Sequence, residues 1–86
     1  LLIAVCARRE GLIVNLSRIA RVGQIPDELK RKTEAAGYVF AKLLSETKIG
    51  ASGARLYQTA AEAYAEKNFS DEINRHHQGG ATGYKT

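Results

Sequence analysis

Hydrophobic and polar positions follow two different patterns along the chain. Residues 1–7 form a continuous apolar run, and residues 12–22 are rich in β-branched side chains that partly alternate with polar ones. The turn residues Arg8-Arg9-Glu10-Gly11 separate the two stretches, and Gly23 closes the second. Short apolar runs bounded by turn residues are typical of strands, so this region predicts a β-hairpin whose first strand is buried on both faces.

From Pro26 onward the apolar spacing changes to three and four residues. Pro26 followed by Asp27 and Glu28 is typical of a helix start, because proline lacks an N–H that the first turn does not need and acids there complement the helix dipole. One stripe of a helix of about five turns is then predicted. That stripe comprises Leu29, Thr33, Ala36, Phe40, Leu43 and Leu44.

A second helix is predicted after Gly50, with Ser52 as its N-cap and an end near Lys67-Asn68. Its apolar positions repeat at helical spacing and are Leu56, Ala60, Ala63 and Tyr64. Residues 69–86 are polar and then rich in glycine, which predicts a short strand or loop. The fold class expected from this order is α+β, a β-hairpin followed by two helices and a short strand or loop.

Composition narrows the class of protein. The chain has 86 residues, the size of one small domain, and its 44% apolar and 26% charged residues are typical of a folded protein rather than a disordered one. The lone Cys6 excludes a disulfide framework and predicts a buried thiol in a reducing, cytoplasmic compartment. The opening apolar run is too short to span a bilayer, so no membrane partner is predicted.

The positive charge raises the question of a nucleic-acid partner. A formal net charge of +4 would suit one, but the basic residues are scattered among acidic ones. The densest run is Lys30-Arg31-Lys32, which a solvated helix face explains with fewer assumptions. Nucleic-acid binding is therefore the least favoured of the functions considered.

Three segments carry a family resemblance. Residues 11–18 (GLIVNLSR), followed by Gly23, are similar to a Gly-Tyr-x-Ser-Asp-x-Thr-Arg strand, and residues 48–52 (KIGAS) to a Lys-Pro-Gly turn with Ile49 in place of proline. Residues 76–83 (HHQGGATG) are similar to a His-x-x-Gly-His-x-x-Gly segment. In this order the segments resemble the pita-bread fold family of methionine aminopeptidases, Xaa-Pro dipeptidases and creatinase.

The resemblance implies that residues 1–86 are a partial catalytic-type pita-bread domain, an internal fragment with both ends cut. The rest of the parent chain would then be needed to complete the fold, and a homodimer is a further possible assembly. Expressed alone, the chain is expected to be inactive and poorly stable, because strand edges and apolar surface would lack their covering layer.

The same resemblance indicates the positions of three metal ligands, and none of them holds a ligand here. The bridging aspartate of the family falls at Asn15, its partner eleven residues earlier at Ala4, and the ligand histidine at Gly80. Two further ligands, both glutamates in the family, would follow Thr86. Two divalent ions need anionic bridges to offset their mutual repulsion, so we predict no metal and no other cofactor.

His76 is the candidate catalytic residue, because the resemblance places a substrate-facing histidine there. Its role would be proton transfer or hydrogen bonding to a peptide or small amide-like ligand; the alternative is a structural histidine that bonds a neighbouring backbone carbonyl. His77 would point to the opposite side if the segment is a strand. Gly79 and Gly80 complete the candidate substrate site, where glycine either lets the backbone approach a ligand or simply makes a turn.

Two functions stay open beside nucleic-acid binding. The first is an Xaa-Pro dipeptidase or aminopeptidase-like hydrolase that works without metal, as creatinase does. The alternative is a non-catalytic peptide- or protein-binding module on the same fold, which the replaced ligands Ala4, Asn15 and Gly80 favour over a metallopeptidase. Whether the chain is an enzyme is left open by the sequence.

Overall fold

The computed structural model describes residues 1–81 and 83–84, and its fold is α+β, an antiparallel two-stranded hairpin followed by two helices. The strands are β1 (Leu2–Arg9) and β2 (Leu12–Ile19); the helices are α1 (Asp27–Glu46) and α2 (Gly53–Glu66), followed by a 3-10 helix at Ser70–Asn74. The chain forms two compact units, Leu1–Ile25 with Gly79–Thr86, and Pro26–Gln78. Within the described residues, no helix is both long and apolar enough to cross a membrane.

The register of the hairpin is set by its turn. Glu10 and Gly11 have φ values of 52° and 82°, and positive φ at both central positions is what a type I′ turn requires. Arg9 therefore pairs with Leu12, and the ladder continues to the opposite end of the hairpin. There the Ala20 N–H donates to the Leu1 carbonyl oxygen at 2.8 Å. The predicted hairpin is confirmed, with strand ends shifted by one to three residues.

The prediction that the first strand is buried is wrong. Every residue of β1 is exposed, including Val5 at 54% and Cys6, whose expected burial as a core thiol is also wrong. The physical reason is that the described part of the first unit contains one two-stranded sheet and no layer that could cover its faces. An apolar run indicates that a strand is suited to burial, but a covering element has to be supplied by tertiary structure.

The core of the second unit lies between α1 and α2 and reaches the 3-10 helix. Its buried residues are Val39, Ala60, Ala63 and Ile73, with Tyr38, Leu43, Ala61 and Tyr64 packed against them. Phe40 and Leu44, which the predicted stripe placed inward, are 66% and 64% exposed. The buried line of α1 is instead formed by Ala35 and Val39, because small side chains allow close approach to the alanines of α2.

The ends and outer contacts of α2 are held by hydrogen bonds. Ser52 is the N-cap, as predicted, and its hydroxyl accepts from the Arg55 N–H at 3.1 Å. Near the other end of α2, the Tyr38 hydroxyl of α1 donates to the Glu66 carboxylate. That hydrogen bond raises the pKa of the Tyr38 phenol, because deprotonation would lose the bond and place two negative charges together.

We expect Val39→Ala to destabilise the protein by about 2 kcal/mol, because it removes buried methyl groups and leaves a cavity. The control is Phe40→Ala, which removes a larger but exposed side chain and is expected to cost less than about 0.5 kcal/mol. Urea denaturation followed by the helical circular dichroism signal measures both. A greater loss for Phe40→Ala would show that the predicted stripe, not the observed one, faces the core.

We expect amide hydrogens of β1 and β2 to exchange faster than those in the middle of α2. An uncovered two-stranded hairpin is marginally stable in water, whereas α2 contributes three buried residues to its unit. Hydrogen exchange measured residue by residue on the full chain tests this. Equal protection in the hairpin and the helix would mean that the strands are covered in solution.

Candidate functional site

The histidine segment, residues 76–78, is a bend followed by irregular backbone and not a strand; it is called the histidine turn below. His76 and His77 follow the 3-10 helix Ser70–Asn74, and their ring centroids lie 4.1 Å apart. The expectation that the two rings point to opposite sides rested on a strand, and it is wrong because the backbone here does not alternate. Both side chains are exposed to solvent.

The hydrogen bond of His76 identifies which ring nitrogen is available. Its Nδ1 lies 2.9 Å from the His77 carbonyl oxygen. A carbonyl oxygen only accepts, so the neutral ring carries its proton on Nδ1 and leaves the Nε2 lone pair free. A histidine that bonds a neighbouring backbone carbonyl is what the structural role for His76 predicts. The same contact leaves the other ring nitrogen able to accept a proton.

Gln78 holds this turn together and was not identified from the sequence. Its Nε2 donates to the His76 carbonyl oxygen at 2.7 Å and more weakly to that of Ile73 at 3.4 Å. Its Oε1 accepts from the Tyr64 hydroxyl at 3.0 Å. The sequence offered one indication of this role: an amide side chain can donate and accept hydrogen bonds at the same time, and so can link two segments. Gln78 thus links the histidine turn to α2.

The two candidate glycines belong to the first unit. Gly80 has a φ of 149°, a region that residues with a β-carbon seldom adopt, and no atom lies within 4 Å of the position of an added Cβ. A histidine at position 80, as in the family pattern, would therefore be strained by the backbone alone. Gly79 also has open space around it.

The close approach expected of a glycine-rich segment is found at Gly83, and it is to the hairpin. A Cβ on Gly83 would lie 2.7 Å from Cγ2 of Ile13, and its φ is 80°. Next to it, the Ile13 N–H donates to the Tyr84 hydroxyl at 2.6 Å. Outside the described residues lie Thr82, which is part of the family motif, and the last two residues, Lys85 and Thr86.

The hairpin register brings two of the implied metal positions to one face. Cys6 pairs with Asn15 and Ala4 with Ser17, so Ala4 and Asn15 project from the same side of the sheet. Alanine offers no donor atom and asparagine offers one neutral oxygen. Over residues 1–81 and 83–84, no group of three or more potential ligand residues could hold a metal ion. These residues do not fit a dinuclear metal centre.

The basic residues singled out in the sequence are mostly engaged locally. Arg31 donates to Glu28 at 3.2 Å, and Lys32 lies 3.7 Å from the same carboxylate. The Arg31 hydrogen bond holds the pKa of Glu28 below its usual value. Arg18 donates to the Ser17 carbonyl oxygen at 2.7 Å, and within the described chain no ion pair involves it.

Comparison of the chain with protein-family models, curated proteins and solved structures finds no significant match.

We predict that at pH 8 the His76 ring is in the Nδ1–H tautomer, because the His77 carbonyl oxygen accepts that proton. Long-range nitrogen–proton NMR spectra of the full chain distinguish the tautomers, and His77 is the internal control. A dominant Nε2–H form at His76 would contradict the observed hydrogen bond.

Proposed function

We propose that this chain is part of a pita-bread-type hydrolase-like protein that acts on a peptide or small amide-like ligand without a metal ion. The observation that carries the proposal is the shared face of Ala4 and Asn15. Two side chains can bridge the same metal pair only if they project to the same side of a sheet. The register therefore supports the alignment with the family. In that alignment the two positions hold Ala4 and Asn15, neither of which supplies a carboxylate ligand.

Under this proposal His76 is the group that moves a proton. Its Nε2 lone pair is available because Nδ1 is engaged with the His77 carbonyl oxygen. A neutral imidazole near pH 7 can accept a proton from water or an amine, or hydrogen-bond to a ligand. His77, in the same unit as His76, is proposed as a ligand contact.

The exposure of the two histidines favours a second candidate, a non-catalytic peptide- or protein-binding module. A histidine that acts as a general base is usually oriented by a further group such as a carboxylate. Among the described residues, no ion pair or carboxylate hydrogen bond involves His76 or His77. Binding requires less of these side chains than catalysis does.

We expect the purified parent protein to contain no stoichiometric Mn, Co or Zn, and any hydrolysis of Xaa-Pro dipeptides to survive a chelator. The reason is the charge of the metal ions. Ala4, Asn15 and Gly80 supply no carboxylate to neutralise two divalent cations and no imidazole to bind them. Elemental analysis and dipeptide hydrolysis with and without a chelator measure this. About one or two metal ions per chain would overturn the metal-free assignment.

The variants His76→Ala and His77→Ala separate the two candidate functions. If the parent protein is a hydrolase, we expect His76→Ala to abolish turnover, whereas His77→Ala should raise KM and retain kcat, because His77 is proposed only as a ligand contact. If turnover is absent from the parent protein, or is unchanged there by His76→Ala, the hydrolase proposal fails. Retained dipeptide binding by the inactive protein would then support the binding module.

A further inference from the structure

The second unit contains a cleft that the proposed function does not use. It has a volume of about 290 Å³ and lies between α1, the end of α2 and the 3-10 helix. Its lining residues are Lys32, Ala35, Ala36, Tyr64, Phe69, Glu72 and Arg75. All of them belong to Pro26–Gln78, so the cleft is complete within one unit.

The floor and walls of the cleft are apolar. On α1 the side chains of Ala35 and Ala36 are too short to fill the space that the rings of Tyr64 and Phe69 border. The Phe69 ring is backed by the Arg31 guanidinium, 4.6 Å from its centroid, which fixes one side of the ring. Small residues opposite aromatic ones leave room for a compact apolar group.

The rim of the cleft is charged, with an excess of one positive charge. Lys32 and Arg75 are cationic and Glu72 is anionic. Arg75 lies 3.5 Å from Glu72 and Lys32 lies 3.7 Å from Glu28, and all four side chains are at least 39% exposed. Exposed ion pairs of this length contribute at most about 1 kcal/mol, so both cations can turn to an incoming anion at little cost.

We propose that this cleft binds a small free monocarboxylate with an apolar or aromatic body. The body would occupy the space over Ala35 and Ala36, and the carboxylate would lie between Lys32 and Arg75. The volume is at the lower end of the range for small-molecule sites, which limits the ligand to about the size of one aromatic ring with a short acid. This site is independent of His76 and of the hydrolase proposal.

Phenylacetate is the probe, with two matched controls: phenylacetamide lacks the charge, and acetate lacks the ring. Binding is measured on the full chain from shifts of backbone amide signals of α1 and the 3-10 helix in NMR titrations. We expect both controls to bind at least about tenfold more weakly, because a hydrogen bond to a charged group and burial of an aromatic ring are each worth that much. Equal affinity for phenylacetate and phenylacetamide, or no saturable shift with phenylacetate, would overturn the proposal.

Variants locate the site and fix the sign of its charge. We expect Lys32→Gln and Arg75→Gln each to weaken phenylacetate binding by up to about fivefold, because each removes one exposed ion pair. Ala36→Leu should block binding by filling the cleft. Glu72→Gln should strengthen binding, because it removes a carboxylate from the rim. Lys30→Gln, an equally simple exposed change on α1 outside the lining, should have no effect.

Circular dichroism of each variant shows whether it has folded. We expect Lys32→Gln and Lys30→Gln to fold, because both residues are exposed and neither belongs to the core. If folded Lys32→Gln and Arg75→Gln bind phenylacetate as the wild type does, the carboxylate assignment is wrong. If the wild type binds benzylamine rather than phenylacetate, and Glu72→Gln abolishes benzylamine binding, the cleft is a cation site and the proposal fails.

Discussion

The close contact between α1 and α2 is the interaction on which the second unit depends. It is possible because the residues at the contact are small or short: Ala60 is fully buried, Ala63 is 2% exposed, and Val39 of α1 packs against them. The 3-10 helix then packs its Ile73 on the same cluster. Several bulky apolar residues of this unit, among them Phe40, Leu44 and Ile49, remain exposed.

The same use of small residues gives the second unit its cleft. Ala35 and Ala36 of α1 line the cleft together with the rings of Tyr64 and Phe69. The close contact and the open space both depend on short side chains, Ala60 and Ala63 of α2 at the contact and Ala35 and Ala36 of α1 at the cleft. Within this unit Gln78 links the histidine turn to α2, because it bonds both Tyr64 and the His76 carbonyl oxygen.

The hairpin follows a different constraint, the positive φ of Glu10 and Gly11 in its turn. A two-residue turn fixes the register, and the register in turn decides which side chains share a face. It places Ala4 and Asn15 on the same face, and apolar side chains on both faces of the sheet are exposed to solvent.

The sequence by itself determined the elements and their order, because turn and cap signals act over a few residues. Gly11, the Pro26 start and the Ser52 cap all lie where local chemistry placed them. Only the tertiary structure decided what is buried: Cys6 and Phe40 are exposed, and Ala35 faces inward. Burial depends on which neighbours are present and how closely they approach, and that distance is set by partner side chains far away in the sequence. The roles of Gln78 and of the cleft were decided in the same way, since each depends on contacts between residues of different elements.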